Sequence, residues 1–221
     1  MLAYKRGMGA DRDTVDILAG KYWAFDLDGT LTLPVHDFAL IRTSLEVPDG
    51  ADILGHLASL PAEEARRLHE RLDDIERELI TQTSAAPGAQ ELVEILFRKG
   101  CRLGILTRNT REIALLTLEH IGLGGFFAWE GILGRDEALP KPDPDGVYRL
   151  ARLWEAPPHE LVIVGDYLYD LQAGQAAGSA TIHVHGSLDR RWPEWTDLCV
   201  LSLEELAGQV QLAWDIRKAP P

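Results

Sequence analysis

The chain has 221 residues, a formal net charge of −13, 46% hydrophobic residues and 26% charged residues. That length suits one α/β domain with a small insertion, and the acidic balance excludes a general nucleic-acid binder, whose phosphate contacts need a basic surface. No run of about 18 apolar residues offers a membrane span, and the two cysteines, Cys101 and Cys199, are too few for a disulfide framework, so a cytoplasmic setting is expected.

Residues 1–20 read as a mixed polar leader in which Asp13 to Leu18 suit a short helix. Lys21 to Leu27 is an apolar, aromatic run that predicts a buried parallel strand. It ends in Asp26-Leu27-Asp28-Gly29-Thr30. In extended backbone, residues i and i+2 point the same way, so both carboxylates can face one site, and Gly29 permits a sharp turn there. Taken alone, the stretch also fits a strand ending in an acidic surface turn.

From Leu33 to Ser84 the pattern becomes helical with no convincing strand. His36 to Leu45 places Phe38, Ile41 and Leu45 on one face. Asp49 can cap a helix carrying Ile53, Leu57 and Leu60. Pro61 suits a first helical position, and Leu68, Leu72, Ile75 and Leu79 follow at helical spacing. Its other faces are charged, including Asp73 and Glu76, and read as mostly solvated. Residues 33–84 are therefore expected to form a helical cap, with 1–32 and 85–221 as the core.

After Ala86-Pro87-Gly88, helix and strand alternate. Ala89 to Lys99 is an amphipathic helix stopped by Gly100. Cys101 to Leu106 is a strand ending in Thr107-Arg108-Asn109-Thr110. Glu112 to His120 is helical, Phe126 to Leu133 a short strand, and Val147 to Leu153 a helix after the stiff Pro140–Gly146 loop. Leu161 to Val164 is an apolar strand ending at Gly165-Asp166. Asp170 to Ala177 is a helix, Ala180 to Val184 and Leu198 to Leu201 are strands, and Ser202 with Glu205 can box the last helix. This alternation predicts an α/β fold: a Rossmann-like parallel sheet with helices on both faces and a small helical cap inserted after the first strand.

Such sheets bind ligands beyond the carboxyl ends of their strands. Asp26 and Asp28, Thr107, and Asp166 with Asp170 all fall there, and Lys141 lies in a nearby loop. Three or four carboxylates at one edge repel one another and call for a cation. An all-oxygen set indicates Mg²⁺, and no Cys/His spacing offers a zinc site.

These motifs, with Ile105-Leu106-Thr107-Arg108-Asn109, Lys141-Pro142 and Gly165-Asp166-Tyr167-Leu168-Tyr169-Asp170, resemble the haloacid dehalogenase superfamily in its phosphoglycolate phosphatase-like and β-phosphoglucomutase-like branch. The likeness runs from about Tyr22 to Leu206. It implies a Mg²⁺-dependent phosphatase acting on a small phosphorylated metabolite through an aspartyl-phosphate. Asp26 would be the nucleophile and Asp28 the general acid and then base. Thr107 would hold a phosphoryl oxygen, and Lys141 would neutralise charge. Asp26, Asp28 through its backbone carbonyl, and Asp166 would ligate the metal, with Asp170 in support. Asn109, Arg108 and Arg42 are the candidate substrate-binding residues, Arg42 first among the cap residues, with Arg135 weaker in the same role.

The sequence departs from the family pattern in three places. Thr32-Leu33-Pro34 replaces an acidic-serine continuation, Tyr167 stands where a small hydroxyl residue is usual, and the cap is short. Asp28 disfavours a dehalogenase, which lacks the second aspartate. The absence of lysine between Lys21 and Lys99 excludes Schiff-base phosphonate cleavage. A sugar phosphomutase and a non-catalytic binding module on the same fold remain as alternatives, and the oligomeric state is not encoded legibly.

Overall fold

The computed structural model describes residues 12–185 and 192–218. The polar leader therefore enters only as helix α1 (Arg12–Leu18), and residues 1–11 lie outside the described residues. Six parallel strands form the sheet among the described residues: β1 (Tyr22–Phe25), β2 (Arg102–Leu106), β3 (Ile132–Leu133), β4 (Leu161–Gly165), β5 (Ala180–Val184) and β6 (Leu198–Val200). Their order is β3-β2-β1-β4-β5-β6. Central β1 pairs with β2 on one side and β4 on the other. This is a doubly wound α/β sheet, and the strand order reverses between β1 and β4.

Side chains alternate across β1 because extended backbone has a period of two. Trp23 and Phe25 join Leu103, Ile105, Val162 and Val164 on one face, packed by α5 (Ala89–Arg98), α6 (Arg111–His120) and α9 (Leu203–Lys218). Ala24, Leu106 and Ile163 join the opposite face under α7 (Asp145–Leu153) and α8 (Leu168–Ala177). Each face thus buries an apolar layer, as a parallel sheet requires.

Between β1 and α5 the chain leaves the sheet layer as three helices, α2 (Phe38–Ser44), α3 (Ile53–Ala58) and α4 (Ala62–Leu79). They bury their own apolar cluster of Ile41, Leu45, Leu54, Leu57, Leu68 and Leu72. Its two ends meet: Thr32 bridges Ala85, the Leu33 N–H donates to the Ser84 carbonyl at 3.0 Å, and the Ala86 N–H donates to the Leu31 carbonyl at 2.9 Å.

Three expectations about local structure need correction. The cap of α3 is Asp52, whose Oδ2 accepts from the Gly55 N–H at 2.8 Å, and not Asp49; Gly50, at φ 75°, turns the chain after Asp49 and delays the helix. The expected strand at Phe126–Leu133 shrinks to two residues, because tight turns occupy Gly124–Phe126 and Trp129–Gly131. Glu76, expected on a solvated face, is buried.

Gly88 starts α5 at φ +82°, and a Cβ there would lie 2.2 Å from the Glu204 backbone nitrogen of α9. Gly100 has a similar φ of +73° with open space around it. Gly100→Ala should therefore cost only the left-handed backbone penalty, about 1–2 kcal/mol. Gly88→Ala should cost distinctly more in urea unfolding, because neither backbone can yield. Equal losses would contradict the close α5–α9 approach.

Candidate active site

The register places Phe25 opposite both Ile105 and Val164. Asp26, one position further on, and Thr107 and Asp166, each two positions further on, therefore emerge close together at the carboxyl edge of the sheet, beside the switch point. The Asp26 N–H continues the β4 ladder by donating to the Val164 carbonyl at 2.9 Å. Residues Leu27–Leu31 then fold into a tight loop closed by the Thr32 N–H on the Leu27 carbonyl at 3.0 Å. Gly29 sits in that loop at φ +89°, and a Cβ there would be 2.7 Å from Asp166 Oδ2. Only glycine meets both the backbone and the space requirement.

Lys141 ties the carboxylates together. Its Nζ is 2.6 Å from Asp26 Oδ1 and 2.5 Å from Asp170 Oδ1, and the side chain is buried. Burial alone would lower the lysine's proton affinity; Asp170 and Asp26 more than reverse this and hold it above the ordinary lysine value. The other oxygen of Asp170 accepts from the Tyr167 N–H at 3.1 Å. Both of its oxygens are therefore engaged, and Asp170 fixes the lysine and the start of α8.

Among the described residues Asp166 forms no ion pair with a lysine or arginine, and Lys141 offsets only part of its unfavourable surroundings. Burial, then Asp26 and Asp170, push its carboxyl well above the usual range. The Thr30 hydroxyl lies 3.1 Å from Asp26 Oδ2 and 3.1 Å from Asp166 Oδ1. One hydroxyl proton can serve only one of these oxygens. The second contact asks for a proton or a cation between the groups. Asp26, Asp166 and Asp170 can each bring an oxygen within 4.8 Å of the others. An all-carboxylate set of this size, short of positive charge, fits a hard divalent cation such as Mg²⁺. The Asp28 carboxylate is not part of that cluster.

Asp28 instead faces a separate set of neighbours. Asn109 Nδ2 donates to its Oδ2 at 2.8 Å, and His36 Nδ1 stands 4.0 Å from its Oδ1. Burial, then Asp26 and Glu76, raise its pKa to about 8. His36 is kept below its ordinary pKa by burial, against the pull of Asp26. Thr107 is buried, and its hydroxyl oxygen accepts from the Asn109 N–H at 3.1 Å, which leaves its proton available.

The residues expected to bind substrate are placed differently from one another. The Asn109 side chain donates one hydrogen bond from Nδ2 to Asp28 Oδ2 at 2.8 Å. Arg108 NH2 donates to Asp52 Oδ1 at 2.6 Å, and its guanidinium lies 5.0 Å from the centre of the Tyr169 ring. Arg42 lies in the last turn of α2 and forms no ion pair among the described residues. Arg135 is buried against Glu76, at 3.0 Å, and Asp73, both on α4, and also donates to the Arg108 carbonyl at 2.8 Å. Sequence periodicity could not reveal this cluster, since its partners are 59 and 62 positions apart. The one visible signal was an acidic residue, Glu76, three positions before Leu79 and four after Leu72 on the apolar side of α4.

Fold and site define a doubly wound α/β protein with a carboxylate–lysine centre at its switch point. The chain belongs to the haloacid dehalogenase-like hydrolase family, whose model matches residues 21–178. It is 33% identical over 169 residues to an Arabidopsis thaliana haloacid dehalogenase-like hydrolase domain-containing protein, covering 71% of this chain and 67% of that one. It is 30% identical over 185 residues to a phosphoglycolate phosphatase of Pseudomonas savastanoi, covering 72% and 66%. A solved hydrolase structure from Pseudomonas syringae superposes with a TM-score of 0.72 at 24% identity, covering 87% and 98%, and shows the shared fold.

The Arg135 cluster carries a pH-dependent prediction. Burial raises Glu76 to about 7, with Arg135 pulling against it and Asp73 and Asp136 adding to it. Glu76 thus holds a proton more readily folded than unfolded, and its charged form is the costly one above that value. Arg135→Ala should destabilise the fold by about 3–5 kcal/mol when pH is well above 7, where the carboxylates lose their cation. Well below 7 a protonated Glu76 should make the loss smaller. Chemical denaturation at the two pH values measures this, and a pH-independent loss would contradict it.

Proposed function

We propose that this hydrolase is a Mg²⁺-dependent phosphatase that cleaves a small-molecule phosphomonoester through an aspartyl-phosphate on Asp26. The observation that carries this reading is Asp26, paired with buried Lys141 at 2.6 Å, only two residues from Asp28, whose carboxyl burial pushes up to about 8. One carboxylate is thus prepared as nucleophile and the other as acid, each by its surroundings.

In the first step an Asp26 oxygen attacks phosphorus and the ester P–O bond breaks. The leaving oxygen takes a proton from Asp28, at Oδ1, since Oδ2 accepts from Asn109. Thr107 donates its free hydroxyl proton to a phosphoryl oxygen, and Lys141 offsets the charge of nucleophile and phosphoryl group. In the second step Asp28, now a carboxylate, takes a proton from water as the water oxygen attacks phosphorus. Asp26 is regenerated and inorganic phosphate leaves. Bound Mg²⁺, held by Asp26, Asp166 and the Asp28 carbonyl, would neutralise phosphoryl charge. Asp170 would position Lys141.

Residues 33–84 act in this scheme as a cap that covers the site and limits water. Among the described residues no helix is long and apolar enough to cross a membrane.

Phosphate release from a panel of phosphomonoesters tests the proposal. Release should require Mg²⁺, stop with EDTA, and be lost in Asp26→Asn. Undiminished release in Asp26→Asn would rule out Asp26 as nucleophile. Conversion of a phosphosugar to its isomer without phosphate release would favour a mutase instead.

A further inference from the structure

The rim of the site shows which leaving group it favours, and this step rests on the phosphatase reading. Arg108 stands between Thr107, beside the phosphoryl position, and Asn109, which holds the proton donor Asp28. Its guanidinium reaches across from the core loop to the first residues of α3. It is the natural group to read a carboxylate or second phosphate on the leaving group, since a guanidinium binds such anions through a planar fork.

That guanidinium is already occupied. Asp52 Oδ1 accepts from it at 2.6 Å, while Asp52 Oδ2 caps α3 through the Gly55 N–H at 2.8 Å. The helix cap holds the carboxylate in place, so it meets Arg108 as a built-in substitute for a substrate anion. The Tyr169 ring lies 5.0 Å from the guanidinium, within cation–π range. Arg135, the next arginine on the core side, is likewise consumed by Asp73 and Glu76. A substrate with a second negative charge would meet neutralised arginines and the acids that neutralise them.

We infer that the enzyme selects phosphomonoesters with an uncharged leaving group, and that the Asp52–Arg108 pair is the specificity determinant excluding a carboxylate at that end. Both members are partly exposed, with side chains 26% and 36% accessible for Arg108 and Asp52. Such a pair can be displaced, so its effect is a bias in selectivity.

The test compares 2-phosphoglycolate with 2-hydroxyethyl phosphate, which has the same length but a hydroxymethyl in place of the carboxylate, with p-nitrophenyl phosphate as a reference. Wild type should show the higher kcat/KM on the hydroxyethyl ester. Asp52→Asn keeps a good helix cap and should shift the ratio toward phosphoglycolate by about fivefold, the upper worth of a half-exposed ion pair. The shift should appear in KM, and adding Arg108→Ala should cancel it.

A wild type that prefers phosphoglycolate would overturn the inference, and loss of that preference in Arg42→Ala would give the anion-reading role to Arg42. An equal change on both esters in Asp52→Asn would also overturn it, leaving the pair as a latch between cap and core. Failure to cleave even p-nitrophenyl phosphate would remove the phosphatase reading and this inference together, whereas cleavage with the wrong preference removes the inference alone.

Discussion

The site depends on one buried ion. Lys141 sits between Asp26 and Asp170 within 2.6 Å of each and out of contact with water. A buried ammonium is costly unless paired and hydrogen-bonded, and a buried carboxylate is equally so. Each of these groups therefore requires the other. Lys141 holds Asp26 in place, Asp170 holds the lysine, and the Tyr167 N–H holds Asp170. What the lysine does not neutralise is Asp166, and that remaining negative charge is why the cluster suits a divalent cation.

The sheet delivers these groups to one place at little cost. Asp26 follows β1 and Asp166 follows β4, and the two strands are neighbours although 140 positions separate the residues. Thr107 follows β2 on the other side of β1. Parallel strands end at a common edge, so residues just past each end converge without special loops. The helical insertion then leaves directly after the first motif, and its return at Ala85 is paired back to Thr32. The insertion is thus joined close to Asp26, and its charged residues Asp52, Asp73 and Glu76 reach the core residues Arg108 and Arg135.

Much of this was legible in the sequence because it depends on local patterns. Alternating apolar runs marked the strands, glycines marked the stops, and polar residues just past each strand end marked the site. What was not legible depended on pairings between distant segments. Asp73 and Glu76 look like solvated helix charges until Arg135 is placed against them. The hydrogen bond from Asn109 to Asp28 joins residues 81 positions apart. Arg108 looks free until α3 brings Asp52 to it. In each case the residue type was informative and the partner was set by the fold alone. The displaced cap of α3 has a different origin: Asp49 and Asp52 are equally good caps by type, and the left-handed turn at Gly50 decides between them.

The most direct measurement follows the phosphoryl group itself. Asp28→Asn removes the base needed for the second step but leaves Asp26, Lys141 and Thr107 in place. With p-nitrophenyl phosphate, whose leaving group needs no proton, the first step should still run. The predicted result is a burst of p-nitrophenol near one equivalent, with a phosphoryl group located on Asp26 by peptide mass spectrometry. Steady turnover with no adduct, or an adduct on another residue, would contradict the assignment of Asp26 as nucleophile and Asp28 as its acid–base partner.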